Sequence, residues 1–279
     1  MQAVIVTGAS GAMGSAAVEA LARQGRVVIM ACRNLQKGAE VRSRILSGND
    51  SAQLELLHLD LASQQSVIAF VAEAKALLES RELSLAGLFN NAGVMNRSHS
   101  VTEDGLEATL AVNCVNPILL TLRLLPLFAA EANVVNMVSL SCRVGKVNPE
   151  MWAPERPRYR QVAAYAQSKL AFMLATISLG ERLKTMGYDG IRLNVADPGV
   201  VNTSMISLGR WFDPLTDLLF RPFCNSPQQG IRPALNALST RETLRFFVGN
   251  KCKSIPHRYR QHSYNEELWK ELQKHIPIE

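Results

Sequence analysis

Cysteine is scarce in this sequence and is not arranged as a ligand set or a cross-linking set. The 279 residues include five cysteines, at positions 32, 114, 142, 224 and 252, and no two of them form a Cys-x-x-Cys pair. A structural zinc site needs closely spaced ligands, and a disulfide framework needs paired cysteines in an oxidising compartment. We therefore predict no metal site and no disulfide framework, and we expect a protein of the reducing cytoplasm.

Long apolar runs and clustered aromatic residues are also missing. No uninterrupted apolar stretch is long enough to span a bilayer, and the first predicted strand begins at Gln2, which leaves no room for a signal peptide or an N-terminal anchor. Aromatic residues make up 6% of the chain. Because no groove-reading helix or aromatic stacking platform is recognisable, we predict no nucleic-acid partner.

Acidic residues are absent from residues 251–262, where part of the net charge of +6 is concentrated. This segment carries Lys251, Lys253, Arg258 and Arg260. A solvated basic loop accounts for this pattern. Contact with an anionic substrate tail or with a membrane surface is the alternative.

Apolar strand-like runs alternate with helical patterns along the whole chain. The runs cover residues 2–7, 26–32, 53–58, 86–90, 133–139, 191–196 and 244–248, with helical patterns between them, for example over 63–79 and 102–127. This alternation predicts an α/β fold, a Rossmann-type doubly wound parallel sheet with right-handed crossovers. Because no linker or repeat divides the chain, we predict a single domain over residues 1–279. Ligands of such sheets bind beyond the carboxyl ends of the strands.

A glycine-rich turn, residues 8–14, joins the first predicted strand to the first predicted helix. In such a turn the backbone can approach a phosphate closely, and the helix N-terminus offers unpaired N–H groups and a positive dipole end. The alternative is a tight turn that needs glycine for its conformation alone. The strand, turn and helix in this order favour a nucleotide site.

Tyr165 and Lys169 are four residues apart in a predicted helix, so their side chains leave the same helix face. A lysine ammonium one turn away favours ionisation of the tyrosine and lowers its pKa toward the working pH. The pair is therefore a candidate proton donor with its electrostatic partner. An ordinary amphipathic helix face is the alternative.

Asn113 is followed four residues later by Pro117 in another helical pattern. Because proline has no N–H group, the carbonyl of Asn113 loses its usual helical partner and needs another, most simply a water molecule. A packing kink without any chemistry is the alternative.

These features occur together with further short motifs, in an order that resembles the short-chain dehydrogenase/reductase family, and within it the retinol dehydrogenase and protochlorophyllide reductase branch. The resemblance covers essentially the whole chain. The motifs are Thr7-Gly8 to Gly14, Ala31-Cys32-Arg33-Asn34, Asp60-Leu61, Asn90-Asn91-Ala92-Gly93, Val112-Asn113, Ser139, Tyr165-x-x-x-Lys169, Asp197-Pro198-Gly199 with Thr203, and the C-terminal run 267–272.

The resemblance implies a role for each of four catalytic residues. Tyr165 would be the general acid in reduction, and Lys169 would hold the nicotinamide ribose and lower the tyrosine pKa. Ser139 would hydrogen-bond the substrate oxygen and stabilise the charge that develops there. Ser141 is a nearby alternative, but the following residues 143–146 place Ser139 in the catalytic position. Asn113 would hold, through its carbonyl, a water that links the lysine to solvent.

The resemblance also implies a nicotinamide dinucleotide cofactor. The cofactor-binding residues would be Gly8, Ser10, Ala12, Met13, Gly14, Arg33, Asp60, Leu61, Asn91, Ala92, Gly93, Tyr165, Lys169, Pro198, Gly199 and Thr203. NAD-specific proteins of this kind place an acidic residue near the end of the second strand, and here the end has none. Because the Arg33 guanidinium matches the 2′-phosphate of NADP, we predict NADPH in preference to NADH. A surface arginine that opens the next helix is the alternative.

Two residues depart from the pattern of the family. Ala12 stands where the turn usually has its middle glycine, which is tolerable only if the backbone keeps φ negative there. Gly11, one residue earlier, gives the loop room to shift. Asn116 stands where this branch often has glycine, with a consequence for helix packing.

Residues 204–225 correspond to the substrate lid of the family. They are rich in Met, Ile, Leu, Phe and Trp, which suggests a small apolar carbonyl or alcohol substrate, lipid-like, steroid, retinoid or aromatic. Packing on the core or on a partner subunit is the alternative, and so is peripheral membrane contact. The helix that carries Tyr165, rich in apolar residues over 170–174, is expected to help build a homodimer or homotetramer interface.

The predicted function is therefore an NADP-dependent oxidoreductase that interconverts an alcohol and a ketone or aldehyde. A C=C reductase with the same tyrosine and lysine is one alternative. A non-catalytic cofactor-binding sensor or scaffold is the other, and it predicts binding without turnover.

Overall fold

The computed structural model describes residues 1–155, 158–201 and 225–277. In these ranges the strands are β1 (Gln2–Thr7), β2 (Val27–Cys32), β3 (Gln53–His58), β4 (Ser84–Asn90), β5 (Phe128–Met137), β6 (Ile191–Asp197), β7 (Arg245–Val248) and β8 (Lys251–Ser254). They form one sheet in the order β3-β2-β1-β4-β5-β6-β7-β8. β8 pairs antiparallel with β7, and the other pairings are parallel.

Helices follow most strands. They are α1 (Ala12–Arg23), α2 (Leu35–Gly48), α3 (Gln64–Ser80), α4 (108–124), α5 (Gln161–Arg182), α6 (Pro227–Gly230), α7 (Arg232–Leu238), α8 (His257–Arg260) and α9 (Asn265–His275). Within α4 an α turn (Ala108–Leu110) and a π-helical turn (Ala111–Val115) precede the regular part (Asn116–Leu124). The predicted α/β fold is confirmed: the sheet is Rossmann-type, with its switch point between β1 and β4.

Two apolar cores lie on the two faces of the sheet, because neighbouring residues of a strand point to opposite faces. Ile5 and Ile29 belong to the core that also contains α3, α4, α5 and α9. Val4 and Val28 belong to the other core, with α1 and α7. The inner strand β2 is apolar throughout and fully buried because both of its faces are covered, as expected within a parallel sheet.

Two helical stretches are long and apolar enough to cross a membrane by length and composition, Ala108–Leu127 and Gln161–Arg182. Each contains polar and charged residues, among them Arg123 and Lys169, so neither is an uninterrupted apolar stretch. Of the most apolar window in each, 78% is buried inside the protein. Both stretches belong to the core on the α5 side of the sheet.

Two expectations need correction. The basic segment 251–262 is not a loop: its first residues form the exposed edge strand β8 and its later ones form α8. The apolar residues of α5 expected at a subunit interface, among them Phe172 and Met173, are buried in the chain's own core. Helix α9 packs on α5, where Arg182 pairs with Glu266 at 2.8 Å and lies over the Trp269 ring.

Candidate active site

The predicted site residues within the described ranges lie at one edge of the sheet, beyond the carboxyl ends of β1 to β6. The turn 8–14 follows β1, Arg33 follows β2, Asp60 and Leu61 follow β3, residues 91–93 follow β4, Ser139 follows β5, and Pro198 and Gly199 follow β6. Tyr165 and Lys169 lie near the beginning of α5. Thr203 and residues 204–224 of the predicted lid lie outside the described residues.

In the turn after β1 the backbone at Gly14, in the first turn of α1, packs directly against the backbone of Gly8 and Ala9. Gly8 has φ +64°, a conformation that favours glycine. A Cβ atom on Gly14 would lie 2.1 Å from the Gly8 carbonyl oxygen, so only glycine fits there. Helix α1 begins after Gly11 without a side-chain cap and without an acidic residue in its first turn. Its first N–H groups are therefore available to an anion.

Ala12 occupies the first position of α1, and no positive φ occurs there. The condition under which an alanine replaces the middle glycine is thus met. Gly11 has φ −79°, which other residues adopt as well. The glycine-rich turn accommodates the extra methyl group because Ala12 already belongs to helix α1. Met13 follows it in the first turn of that helix.

The exit of β4 is held by Thr7, whose role was not predicted. Its hydroxyl accepts hydrogen bonds from the backbone N–H groups of Asn91 and Ala92, both at 3.0 Å. The Asn91 amide group donates to the Thr7 carbonyl at 2.9 Å, and its Oδ1 atom is buried without a partner among the described residues. A threonine at the end of β1, next to Gly8, is the sequence signal for this contact.

Asn113 joins the same loop to α5 through its side chain. Its Oδ1 accepts from the Val94 N–H and its amide donates to the Val94 carbonyl, both at 2.8 Å. The amide also donates to the Ser168 hydroxyl at 2.9 Å, which in turn donates to the Tyr165 carbonyl at 2.8 Å. Ser168 was not predicted, although it directly precedes the lysine in sequence.

The π-helical turn in α4 contains Asn113. Within it the Asn116 N–H bonds the carbonyl of Ala111, five residues back, instead of four. The helix thus shifts its pairing just ahead of Pro117, where a backbone N–H is missing. This turn is consistent with the prediction that the helical hydrogen bonds are irregular around the Asn113 carbonyl. A water molecule bound to that carbonyl remains a prediction.

The Lys169 ammonium lies between the exits of β4 and β5. Its Nζ donates to the Met137 carbonyl at 2.9 Å and lies 3.4 Å from the position that a Cβ on Gly93 would take. Glycine at 93 thus leaves the space in front of the ammonium open. Burial lowers the pKa of Lys169 from 10.5 to about 8, because the charged form loses solvation.

Tyr165 is close to Ser139 and partly buried. Burial raises the pKa of Tyr165, and the interaction with the Ser139 side chain opposes this rise as a smaller effect. The Lys169 ammonium binds the Met137 carbonyl and is not among the causes of this rise, so the lowering of the tyrosine pKa by Lys169 stays a prediction. Desolvation of the phenol outweighs the hydrogen bond with Ser139.

Arg33 and Asp60 lie on neighbouring strand ends, on the β2–β3 side of the switch point. Arg33 is exposed, and the following Asn34 caps α2 by accepting from the Lys37 N–H at 2.9 Å. The Asp60 carboxylate accepts from the Ala62 N–H at 2.9 Å and so shapes its own turn. The Leu59 N–H bonds the Cys32 carbonyl at 3.0 Å, which ties the two strand ends together.

The turn after β6 is bonded to Asn225, the last residue of the predicted lid. Asp197 accepts from the Gly199 N–H at 2.9 Å, and Gly199 has φ +71°. Asn225 donates from its side chain to the Pro198 carbonyl at 3.0 Å and forms a β-bridge with Val201. The chain on either side of residues 202–224 is therefore held together at this edge of the sheet.

The described residues fit a dinucleotide phosphate and ribose chain. The uncapped α1 N-terminus and the backbone crossing at Gly8 suit a pyrophosphate. The unpartnered Asn91 Oδ1 and the open space beside Gly93 lie between this turn and Lys169. The hydrogen-bond donors of this region are backbone N–H groups of α1 and the Lys169 ammonium. Gly8, Gly14 and Gly93 stand where a side chain would crowd the backbone or the ammonium.

The pKa of Lys169 predicts a pH-dependent cost of folding. Because its folded pKa of about 8 lies below the unfolded value of 10.5, the buried ammonium destabilises the fold fully below pH 8, and this cost disappears as the pH rises toward 10.5. We expect Lys169→Met to be more stable than the natural protein at pH 7, by on the order of 3 kcal/mol at most. Urea unfolding of both proteins from pH 7 to 10.5 checks this, and a difference that stays constant with pH would contradict it.

Comparisons with known proteins identify the family of this chain. A family model described as short chain dehydrogenase matches residues 2–210. Retinol dehydrogenase 12 of Mus musculus is 33% identical over 272 residues, which cover 95% of this chain and 83% of that protein. Polyprenol dehydrogenase of Mus musculus is 40% identical over 213 residues, 74% of this chain and 62% of that protein.

A solved structure supports the fold across the whole chain. It is an uncharacterized protein from Mycobacterium paratuberculosis, 27% identical, with a TM-score of 0.73 over 99% of this chain and 95% of that one. The matched family consists of oxidoreductases that bind a nicotinamide cofactor and act on small alcohols and carbonyl compounds. This chain is accordingly a member of the short-chain dehydrogenase/reductase family, in its retinol dehydrogenase-like branch.

Proposed function

We propose that this protein is an NADP-dependent oxidoreductase, acting as one domain, that interconverts an apolar alcohol and its ketone or aldehyde. One observation carries the proposal: Tyr165 beside Ser139, and the Lys169 ammonium bonded to the Met137 carbonyl at the end of β5, lie at the same sheet edge as the glycine turn after β1. The geometry joins a proton donor, an oxygen-binding hydroxyl and a nucleotide site at a single sheet edge.

Each side chain has a definite task in this reaction. Ser139 binds the carbonyl oxygen and stabilises the charge that develops on it. Tyr165 donates a proton from its Oη to that oxygen. Burial raises its pKa, so the hydroxyl stays protonated at neutral pH, the form required for reduction. Bound NADPH would supply the hydride.

Lys169 and Asn113 support the tyrosine from the other side. The ammonium, fixed on the Met137 carbonyl, faces the open space beside Gly93, where a ribose hydroxyl can accept its hydrogen bonds. Asn113 holds this space through Val94 and holds the Tyr165 backbone through Ser168. Proton replenishment through a water on the Asn113 carbonyl belongs to the same proposal.

The preference for NADP rests on the end of β2. Arg33 is exposed there, and the neighbouring first turn of α2 contains Lys37 and no acidic residue. A guanidinium and an ammonium attract a 2′-phosphate, whereas the carboxylate that would bind the two free ribose hydroxyls of NAD is missing.

Arg33→Gln tests both the cofactor and the function. We expect the natural protein to bind NADPH at least about tenfold more tightly than NADH, and the variant to lose most of this difference because a charged hydrogen bond to the phosphate is removed. NADH affinity should change little. Fluorescence titrations of both cofactors measure this, with Arg44→Gln as the matched control, an exposed arginine on the outer part of α2.

The natural protein is then assayed for turnover with NADPH and apolar ketones and aldehydes. Turnover confirms the reaction, and reduction of C=C substrates alone would assign the other enzyme class. Tight NADPH binding without any turnover would favour the sensor or scaffold. Equal affinities for NADPH and NADH would contradict the role of Arg33.

The apolar character of the substrate is supported outside the predicted lid. Four apolar side chains are exposed on segments that carry Ser139, Tyr165 and Gly199: Leu140 (37%), Val144 (72%), Val162 (54%) and Val200 (53%). The Val144 and Val162 segments adjoin, since a Cβ on Gly145 would touch the Ala166 carbonyl. The names retinol dehydrogenase and polyprenol dehydrogenase of the relatives point to the same class of substrate.

We further propose that the protein is cytoplasmic, forms a homodimer or homotetramer, and contacts membranes at most peripherally. The free cysteines Cys32, Cys114 and Cys142 are buried, as suits a reducing compartment. Because α9 covers part of α5, a subunit interface would have to use another part of the surface.

A further inference from the structure

Helix α4 presents two asparagines one turn apart, and both fasten backbone at the carboxyl edge of the sheet. Asn113 binds Val94 in the loop after β4. Asn116 donates from its amide to the Leu61 carbonyl, at 2.8 Å, in the loop after β3. Both asparagines have no solvent exposure. One helix thus fixes two loops that lie on opposite sides of the switch point.

Further hydrogen bonds within the segment 60–66 shape the loop after β3. Ser66 in α3 accepts from the Asp60 N–H at 2.9 Å, and the Asp60 carboxylate accepts from the Ala62 N–H. These bonds shape the turn but do not set its position relative to the centre of the sheet. The Leu59 N–H bond to the Cys32 carbonyl ties the start of the loop to β2, and the Gln64 N–H bond to Asp104 holds the residue just beyond it. The bond from Asn116, 55 residues away in sequence, ties the loop itself to α4.

Asn116 holds the loop at a cost to stability. Its Oδ1 is buried and finds no hydrogen-bond partner within the described part of the chain. An unpaired buried acceptor costs roughly as much as one hydrogen bond contributes. An apolar residue of similar size therefore suits the core as well as asparagine does, and the particular effect of asparagine is the bond to Leu61.

The loop after β3 lies where the adenosine half of a dinucleotide is expected. In such sheets the pyrophosphate binds at the turn after β1, and the adenosine ribose binds at the end of β2. The Leu59 N–H bonds the Cys32 carbonyl at that end, so residues 60–62 continue directly from it. They border the space next to the ribose site, on the side away from Lys169.

We propose that Asn116 is a positioning residue that fixes the loop 60–62 for the adenosine half of the cofactor. This inference rests on the proposed function, because it needs a dinucleotide to bind. Asn113 and Asn116 then set the distance between the nicotinamide and adenosine ends from a single helix. An unanchored loop would shift and weaken the adenosine contacts alone.

Asn116→Leu tests the assignment by titration with NADPH, 2′-phospho-ADP-ribose and nicotinamide mononucleotide. We expect the first two to bind about five- to twentyfold more weakly, as for one lost hydrogen bond. The mononucleotide should bind as before, with the melting temperature nearly unchanged. Asn116→Ala is the second variant should the leucine variant fail to fold.

Thr121→Val is the matched control. Thr121 is buried on the same helix and bonds Asn90 and the Pro117 carbonyl, not a loop of the site. We expect it to lower the melting temperature without selective loss of adenosine ligands. Unchanged NADPH affinity in Asn116→Leu, or equal weakening of all three ligands, would overturn the inference. If the natural protein binds none of the ligands, the proposed function fails first.

Discussion

Replacing Tyr165 with Phe is expected to lower the turnover number roughly 10²–10⁴-fold, with the dissociation constant of NADPH changed by less than about threefold. The substitution removes only the hydroxyl that donates the proton to the substrate oxygen. Ser139 and the Lys169 ammonium keep their places, since Lys169 is fixed by the Met137 carbonyl and not by the tyrosine. Steady-state kinetics and a cofactor titration on the same preparation give both quantities.

Tyr188→Phe is the control for the loss of a tyrosine hydroxyl. Tyr188 lies in the turn before β6, at the opposite edge of the sheet from the candidate active site. Its variant should retain full turnover. If Tyr165→Phe retains turnover within about threefold of the natural protein, Tyr165 is not the general acid, and the proposed reaction is wrong in its central step.

Replacing Gly14 with Ala is expected to weaken NADPH binding at least about a hundredfold and to lower the melting temperature by several degrees. The new Cβ would lie 2.1 Å from the Gly8 carbonyl oxygen and 2.9 Å from the Ala9 Cα, both backbone atoms. Neither can rotate away, so the turn must open, at a cost of about 1–3 kcal/mol. The opened turn no longer aims the N–H groups of α1 at the pyrophosphate.

Gly48→Ala is the matched control for this change. Gly48 ends α2, and a Cβ there meets no atom within 4 Å. The variant should bind NADPH normally and be equally or slightly more stable, because alanine favours a helix. Calorimetry and cofactor titration compare the two variants. Unaltered NADPH affinity in Gly14→Ala would mean that the cofactor does not bind at this turn.

The periodicity of the sequence determined most of the strands and the parallel, doubly wound class of the sheet. Strands β1 and β3 have the predicted bounds, since each apolar-rich run is followed by a turn. The edge strand β8 was missed because all four of its residues are exposed and two are lysines. Its pairing with β7 supplies the structure that the residues themselves do not indicate.

The positions of the candidate site residues also followed from the sequence, because parallel strands bring their carboxyl ends to one edge. The sequence did not determine their electrostatics. A lysine four residues after a tyrosine suggested a lowered pKa of Tyr165. In the folded chain the ammonium turns to the Met137 carbonyl, and burial of the phenol decides the direction of the shift.

The sequence by itself thus determined the family, the fold class and the candidate site residues, because motifs and periodicity are local properties. Only the tertiary structure showed which partner each buried polar group takes. Thr7 binds the exit of β4, and Asn116 binds the Leu61 carbonyl. These contacts join residues far apart in sequence, and no local pattern specifies them, because burial and hydrogen bonding depend on the packing of the whole chain.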